Sequence, residues 1–332
     1  MSRSILDVTL DPAELGRLGH GMSRAENVLG FRDGTVFAGS DKPFVTRIAP
    51  DGTQERVGSI PGGELATMAV ESEEALLVSS TSDGNVYRLW LDGRHETYLD
   101  GIDGRPHGRA NFVFRDTRHR TWVVVATATH RYPMTGYEIQ DDGYVILIDD
   151  QGARIVAKGL CWPNEIRFDA GERHAFVPET FGRRILKYTV GGDGDLLDPV
   201  PIGPDPLGEE IVPDGIALDA DGNVWIASLS TNGLLVVTPD GFLHTVFEDR
   251  NQAAIDAWLP EFERGRFAVP LLRAWAGPTL QLPTSIAFAG PELKTVVMGS
   301  LAMSELLTFA SPVAGLPLWH QSMAAAPRIE IP

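Results

Sequence analysis

The stretch PDGIALDADGNVWIAS, residues 213–228, decides the fold. Two apolar runs flank the turn sequence DADG, in which Asp and Gly supply the backbone conformations that a tight turn between alternating strands needs. The stretch therefore predicts a β-hairpin. The same unit, with a polar or glycine-containing entry and a second strand that ends in small residues, occurs about six times. Its other copies are AENVLGFRDGTVFAGS (25–40), GELATMAVESEEALLVSS (63–80), RANFVFRDTRHRTWVVVAT (109–127), PNEIRFDAGERHAFVPET (163–180) and PTSIAFAGPELKTVVMGS (283–300).

A third and a fourth strand follow most of these hairpins around a further turn. We predict them at 44–58, 85–99, 144–159 and 234–248. Repeats of about 40 to 50 residues with four strands each are typical of a β-propeller, whose blades pack face to face around a channel. A β-sandwich also alternates strands and turns, but it would not need one unit at such regular intervals. We therefore predict an all-β fold: one six-bladed β-propeller domain with four-stranded blades, spanning residues 1–332.

Two segments interrupt the repeat. In residues 1–20, the sequence DPAELGRLG predicts a short capping helix that begins at Asp11 and either closes a blade or packs outside it. Residues 249–282, between blades 5 and 6, are too long for a propeller turn and predict a partly helical insertion. Packing on the rim, a lid over the channel and a contact in a homo-oligomer all remain open for this insertion. Its helical apolar spacing lies at Ile255, Trp258, Leu259 and Phe262.

Composition excludes several classes of partner. The formal charge is −17, from 45 acidic and 28 basic residues, so the average surface repels nucleic acid and anionic membranes. Cys161 is the only cysteine, which rules out an intrachain disulfide and a thiolate metal cluster. The first residues lack the apolar core of a secretory signal, and no apolar run of about 18 residues occurs. We expect a cytoplasmic protein without nucleic-acid or membrane partners.

Equivalent positions of a propeller converge at its channel. The residue just before each innermost strand lies at one channel mouth. In four of the six repeats this residue carries a side-chain oxygen that can bind a metal. In the other two repeats the position is held by Ala66 or Thr67 in one and by Thr284 in the other. Carboxylate and amide oxygens at one point suit Ca²⁺, Mg²⁺ or Mn²⁺ better than a thiophilic metal, although each residue alone also suits a turn cap. The four residues are Glu26, Asn111, Asn164 and Asp214.

These residues also resemble a known family. The sequence is similar to the SMP-30/gluconolactonase/LRE family of regucalcin-like propeller lactonases from about residue 20 to 310. The resemblance rests on AEN with Glu26, on Arg109 and Asn111 with Asp116 five residues on, on PNEIRF with Asn164, and on VPDGIALDADGNVWIA with Asp214.

The resemblance implies one divalent metal held by Glu26, Asn164 and Asp214. Ca²⁺ is the first choice, with Zn²⁺, Mn²⁺, Mg²⁺ or Fe²⁺ as alternatives. It also implies that Arg109 and Asn111 bind the substrate, a small lactone that the protein hydrolyses. The metal would polarise the lactone carbonyl, and either Asp214 or a hydroxide on the metal would provide the base or nucleophile. Asn111 would donate a hydrogen bond to the carbonyl oxygen.

Two departures from the family bear on the substrate. Asn111 is followed by Phe112 and Val113 where the family usually has Asp-Gly, which makes that side of the pocket more apolar. Together with the tryptophan-bearing insertion, these two residues lead us to expect a less sugar-like lactone. The loop THRYPMTGYEIQDD (129–142) offers no Glu that aligns with the family's sugar-contacting one. Instead, His130 is a substrate-binding candidate or an ordinary loop histidine. Tyr132, Met134 and Tyr137 would line the mouth beside it.

Other functions fit the same fold. A non-catalytic propeller with a structural metal is one, and a phosphotriesterase at the same metal site is another. A metal-free enzyme of the strictosidine-synthase type is disfavoured by retention of the whole Glu/Asn/Asn/Asp set. A serine hydrolase is disfavoured because the sequence has no GxSxG motif.

Overall fold

Six antiparallel sheets of four strands each form a six-bladed β-propeller, as predicted. The structure is a computed structural model, and it describes residues 4–40, 42–61, 64–129, 137–267, 272–323 and 325–327. Strand β1 (Gly16–Leu18) belongs to blade 6.

The remaining strands follow in chain order. Blade 1 contains β2 (Val28–Gly30), β3 (Val36–Ala38), β4 (Val45–Ile48) and β5 (Gln54–Val57). Blade 2 contains β6 (Leu65–Val70), β7 (Ala75–Ser80), β8 (Val86–Trp90) and β9 (His95–Leu99). Blade 3 contains β10 (Ala110–Arg115), β11 (Thr121–Val125), β13 (Gly143–Asp149) and β14 (Gly152–Leu160), and β12 (Tyr137–Glu138) lies in its loop. Blade 4 contains β15 (Arg167–Phe168), β16 (His174–Glu179), β17 (Arg184–Val190) and β18 (Leu196–Ile202).

The last two blades flank the insertion. Blade 5 contains β19 (Pro213–Leu218), β20 (Val224–Ser228), β21 (Gly233–Val237) and β22 (Leu243–Phe247). The insertion contains helix α1 (Gln252–Glu263) and β23 (Arg266–Phe267). Blade 6 contains β24 (Pro283–Ala289), β25 (Thr295–Ser300), β26 (Leu306–Ala310) and β1. Short 3-10 helices span Ile5–Asp7, Pro12–Glu14, Arg273–Trp275 and Trp319–Ser322.

The N-terminal segment closes the ring. Asp11 accepts a hydrogen bond from the Ala13 amide at 2.9 Å and caps one 3-10 turn, so the predicted helix is shorter than the sequence suggests. The chain then extends as β1, which pairs antiparallel with β26 in the register Leu18 to Leu306. The N–H and C=O groups that a longer helix would have paired within itself form hydrogen bonds between β1 and β26 instead. Of the two positions left open for this segment, it takes the one that completes a blade.

Buried Asp–Trp pairs hold the hairpin turns of blades 3 and 5. In blade 5, Asp219 accepts hydrogen bonds from the Trp225 indole at 2.8 Å and from the Asn223 amide at 2.9 Å. In blade 3, Asp116 accepts one from the Trp122 indole at 2.9 Å. Both tryptophans are fully buried, so each indole N–H needs a partner. The aspartates of the predicted turns therefore tie the turn to the core between blades.

The insertion packs on the propeller rim at the channel mouth. Its helix α1 buries Ile255, Trp258 and Phe262, which have the predicted helical spacing, and Leu259 is half-buried. Strand β23 pairs with β12, which joins the insertion to the loop of blade 3. No helix within the described ranges is long and apolar enough to cross a membrane.

The C-terminal segment covers the opposite mouth of the channel. The Gln321 side chain donates hydrogen bonds of 2.9 Å to the carbonyls of Gly30 and Phe288, at the far ends of two innermost strands. Leu316 donates to Leu218 in blade 5 at 2.9 Å. A cavity of only about 30 Å³ remains beneath this segment. Access to the channel is therefore from the mouth at which the insertion lies.

Candidate functional site

A β-bulge near the start of the innermost strand recurs in four blades, those built from β6, β10, β19 and β24. In β19, Pro213 pairs with Ser228 but Ile216 pairs with Ile226, so one more residue lies on the β19 side between these pairs. A bulge re-aims the side chains at its position, and bulges are common beside active sites. Asn111 in β10 and Asp214 in β19 lie at these bulges and line the channel mouth.

One cavity of about 800 Å³ opens at this mouth. The structure brings five of the six predicted site residues into its lining. His130, with Tyr132 and Met134, lies outside the described residues. The five that line the cavity are Glu26, Arg109, Asn111, Asn164 and Asp214.

Asp214 is one of these five polar residues of the lining, which together we call the polar floor. It is buried, and its carboxylate accepts a hydrogen bond from the side-chain amide of Asn164. The Asn111 amide donates to the Asn164 carbonyl at 3.1 Å, which links the three residues. Burial raises the pKa of Asp214 well above its usual range, and the nearby carboxylates of Glu26 and Glu165 raise it further.

Glycines allow the backbone to approach these side chains closely. A Cβ on Gly215 would lie 2.5 Å from the Thr284 carbonyl oxygen and 2.7 Å from a carboxylate oxygen of Glu165. A Cβ on Gly299 would lie 2.4 Å from the Ala25 carbonyl oxygen and 2.8 Å from that of Glu26. These clashes explain why glycine follows Asp214 and why glycine faces the segment that carries Glu26.

Arg24 is a site residue that the sequence reasoning missed. Its guanidinium pairs with Glu26 at 2.9 Å and with Glu64 at 3.0 Å, and all three side chains line the cavity. The residue has a left-handed backbone (φ 54°), which places its side chain beside that of Glu26. The sequence reasoning missed Arg24 because it considered only the position directly before each innermost strand. The available signal was that Arg24 lies two residues before Glu26.

The donor set fits a divalent cation. The described part of the chain contains no group of three His, Cys, Asp or Glu side chains placed to hold a metal, but the predicted set has two carboxylates and one amide. Hard oxygen donors of this kind suit Ca²⁺, Mg²⁺ or Mn²⁺, with water completing the coordination. A cation beside Asp214 and Glu26 would offset the repulsion between their carboxylates, which the raised pKa of Asp214 reflects.

Aromatic side chains also line this cavity, and together they form an aromatic wall. We define it as Trp162, Phe181, Phe267 and Trp275, all of which line the cavity. The ring centroids of Trp162 and Phe181 are 5.0 Å apart, those of Phe181 and Phe267 are 4.7 Å apart, and those of Phe267 and Trp275 are 5.7 Å apart. The wall therefore runs without a break from blade 4 to the insertion.

One of the two expected sources of apolar character was wrong. Phe112 and Val113 are buried in hydrophobic clusters between blades and do not line the cavity. The bulge at Asn111 accounts for this, because it turns Asn111 to the channel while Phe112 packs under the guanidinium of Arg167, 4.6 Å from its ring centroid. The tryptophan-bearing insertion, the other expected source, does line the cavity through the aromatic wall, whose blade 4 members the sequence did not identify.

Comparison with known proteins supports the resemblance seen in the sequence. A family model described as the SMP-30/gluconolactonase/LRE-like region matches residues 36–248, well over half of the chain. No curated protein matches the sequence significantly.

Several solved structures share the fold. A putative gluconolactonase is 19% identical with a TM-score of 0.66, and the match covers 94% of this chain and 97% of that one. A gluconolactonase from Xanthomonas campestris is 16% identical with a TM-score of 0.65, covering 88% and 87%. A calcium-binding protein, regucalcin, from Agrobacterium tumefaciens is 14% identical with a TM-score of 0.64, covering 91% and 98%. At these identities the likeness concerns the fold.

Proposed function

The chain belongs to the SMP-30/gluconolactonase/LRE-like family, and on that premise we propose that it is a divalent-metal-dependent hydrolase that opens a small lactone. The observation that carries the proposal is the convergence of Glu26, Asn164 and Asp214 with Arg109 and Asn111 on one cavity. One of the similar structures is described as a gluconolactonase and another as a putative gluconolactonase, which supports the same reaction class.

The metal would be held by Glu26, Asn164 and Asp214. Their oxygen donors make Ca²⁺ the first choice, and Zn²⁺, Mn²⁺, Mg²⁺ and Fe²⁺ are the alternatives. When bound, the ion supplies Lewis-acid polarisation of the ester carbonyl and a lowered pKa for water.

The side chains of this site have separate tasks in the reaction. The Asp214 carboxylate accepts a proton from the attacking water, which then adds to the carbonyl carbon. An amide N–H of Asn111 donates to the carbonyl oxygen as negative charge builds on it. The ring C–O bond then breaks, and Asp214 gives the proton it accepted to the departing ring oxygen, which becomes the hydroxyl group. The product is a hydroxy acid. Arg109, which is buried beside Asn111, orients the new carboxylate.

A non-catalytic calcium-binding role is the second candidate. Regucalcin, one of the similar structures, is described as a calcium-binding protein. In that role the ion would link the blades that carry Glu26, Asn164 and Asp214 and raise the stability of the protein. Both candidates require the metal, but only the first requires turnover.

The test is an assay of the purified protein with γ- and δ-lactones, sugar lactones and a phosphotriester, with and without EDTA. We expect lactone hydrolysis that EDTA abolishes and that Asp214→Asn lowers by at least about a hundredfold. Asp240→Asn, in an exposed turn of blade 5, is the matched control and should leave the rate unchanged. Hydrolysis that ignores both EDTA and Asp214→Asn would refute the proposed function, and a metal-dependent melting shift without turnover would favour the second candidate.

A further inference from the structure

We propose that the aromatic wall forms a second subsite that binds an apolar substituent of the substrate. The substrate class is then a γ- or δ-lactone with an alkyl or aryl chain on its ring. The lactone ring in this inference rests on the proposed function. The apolar substituent on that ring rests on the aromatic wall.

The lining of the cavity combines two kinds of chemistry. The polar floor carries the charged and amide groups of Glu26, Arg109, Asn111, Asn164 and Asp214. The aromatic wall presents phenyl and indole rings, and Leu272 and Leu282 add to its apolar surface. A ligand that satisfies both parts of the lining has a polar head and an apolar tail.

The size of the cavity favours a ligand larger than a lactone ring. Pockets of about 300 to 1,000 Å³ enclose ligands of drug size, and this cavity has about 800 Å³. A five- or six-membered ring at the floor would leave the wall in contact with water. An apolar chain on the ring would cover that surface and gain the free energy of its burial.

A polyhydroxylated ring matches the wall poorly. Sugar hydroxyls that lose water need hydrogen-bond partners, and an unpaired one costs free energy. The side chains of Phe181 and Phe267 carry no hydrogen-bonding atom, and the indole nitrogen of Trp275 is buried. The wall therefore favours apolar chains over sugar hydroxyls.

Contacts within the insertion and with the loop of blade 3 support the wall. Phe267 lies on β23, whose backbone pairs with β12 in the loop of blade 3. Trp275 packs behind it against Trp258 of helix α1, with ring centroids 4.8 Å apart. Side chains that such contacts hold in place lose little conformational entropy when a ligand binds. More of the free energy gained by burying an alkyl chain of the substrate therefore contributes to its affinity.

The test is a series of γ-lactones whose ring substituent grows from hydrogen to octyl, with D-glucono-δ-lactone alongside. We expect kcat/KM to rise about fourfold for each buried methylene until the chain reaches the end of the wall. Phe267→Ala should lower kcat/KM for the octyl lactone by roughly tenfold or more and leave the unsubstituted ring within about twofold. Phe242→Ala is the matched control, because Phe242 is 57% exposed in a turn of blade 5 and lies outside the cavity.

Two outcomes would overturn the inference: a flat dependence of kcat/KM on chain length in the wild type, or a preference for the sugar lactone. The wild-type series needs no variant, so a poorly folded Phe267→Ala protein does not affect it. If no lactone is hydrolysed, the proposed function fails, and the subsite is then tested by calorimetric binding of alkyl γ-lactams, which are not hydrolysed. Affinity that rises with chain length supports the subsite, and affinity independent of chain length refutes it.

Discussion

Replacement of Arg167 by Met is expected to destabilise the propeller by about 3 to 5 kcal/mol, because it leaves a buried carboxylate without its partner. Arg167 and Glu165 form an ion pair of 2.9 Å, and their side chains are 7% and 3% exposed. Arg167 also donates to the Ile216 carbonyl at 3.0 Å. Burial raises the pKa of Glu165 and lowers that of Arg167, and each partner's charge opposes the shift of the other.

The magnitude follows from what each variant leaves behind. In Arg167→Met, Glu165 keeps one hydrogen bond, from the Ile216 amide at 3.3 Å, but loses the opposite charge. In Glu165→Gln, the guanidinium stays buried and retains its contact with the Phe112 ring. The double variant leaves no buried charge, so its cost should be smaller than the sum of the two single costs by about 2 kcal/mol or more.

The assay is urea unfolding of all four proteins, followed by tryptophan fluorescence and circular dichroism. Arg94→Met is the control, since Arg94 and Asp92 form an exposed ion pair of 2.7 Å whose loss should leave the unfolding midpoint almost unchanged. Single variants at Glu165 and Arg167 that each cost under about 1 kcal/mol, with additive effects, would refute the reasoning. The pair also lies below the site, because Glu165 follows Asn164 and packs against Gly215. Arg167→Met should therefore lower lactone hydrolysis as well.

Two further predictions concern stability. Asp219→Ala leaves the Trp225 indole and the buried Asn223 backbone amide without an acceptor, so it should cost roughly 3 kcal/mol in thermal or urea unfolding. Asp240→Ala removes only a hydrogen bond from the Thr238 hydroxyl in an exposed turn and should cost about 1 kcal/mol or less. Equal losses in the two variants would contradict the role of the buried turn. Burial lowers the pKa of His320 to about 4, and the charge of Arg167 adds to this effect. Between about pH 6.5 and 4, this histidine is therefore protonated in the unfolded chain but neutral in the folded protein. Stability contributed by neutral His320 should therefore be complete above pH 7 and fall by about 3 kcal/mol as the pH drops to 4. His320→Gln should reduce this slope and His95→Gln, at an exposed position, should not; an unchanged slope in His320→Gln would show that another group is responsible.

The blades were predictable because their signals are local. Strands β19 (213–218) and β20 (224–228) lie inside the quoted stretch, where apolar runs and an Asp/Gly turn specify the hairpin. The pairing of β1 with β26 was not predictable in the same way, since its partners, such as Leu18 and Leu306, are far apart in the chain. Only the closed ring brings them together.

The candidate site was predictable to the extent that it follows the repeat. Glu26, Asn111, Asn164 and Asp214 lie at equivalent positions, so the repeat places them together. The aromatic wall depends on a contact between the insertion and blade 4, as between Phe267 and Phe181, which no repeat encodes.

One titration tests the central claim most directly. Metal-free protein receives Ca²⁺ in steps, and bound metal and the rate of lactone hydrolysis are measured on the same samples. We predict that the rate rises in proportion to the first equivalent of bound Ca²⁺ and that Asp214→Asn shows neither the binding nor the rate, whereas Asp240→Asn shows both. Full activity in metal-free protein, or one equivalent of tightly bound Ca²⁺ with no hydrolysis of any lactone, would contradict the claim.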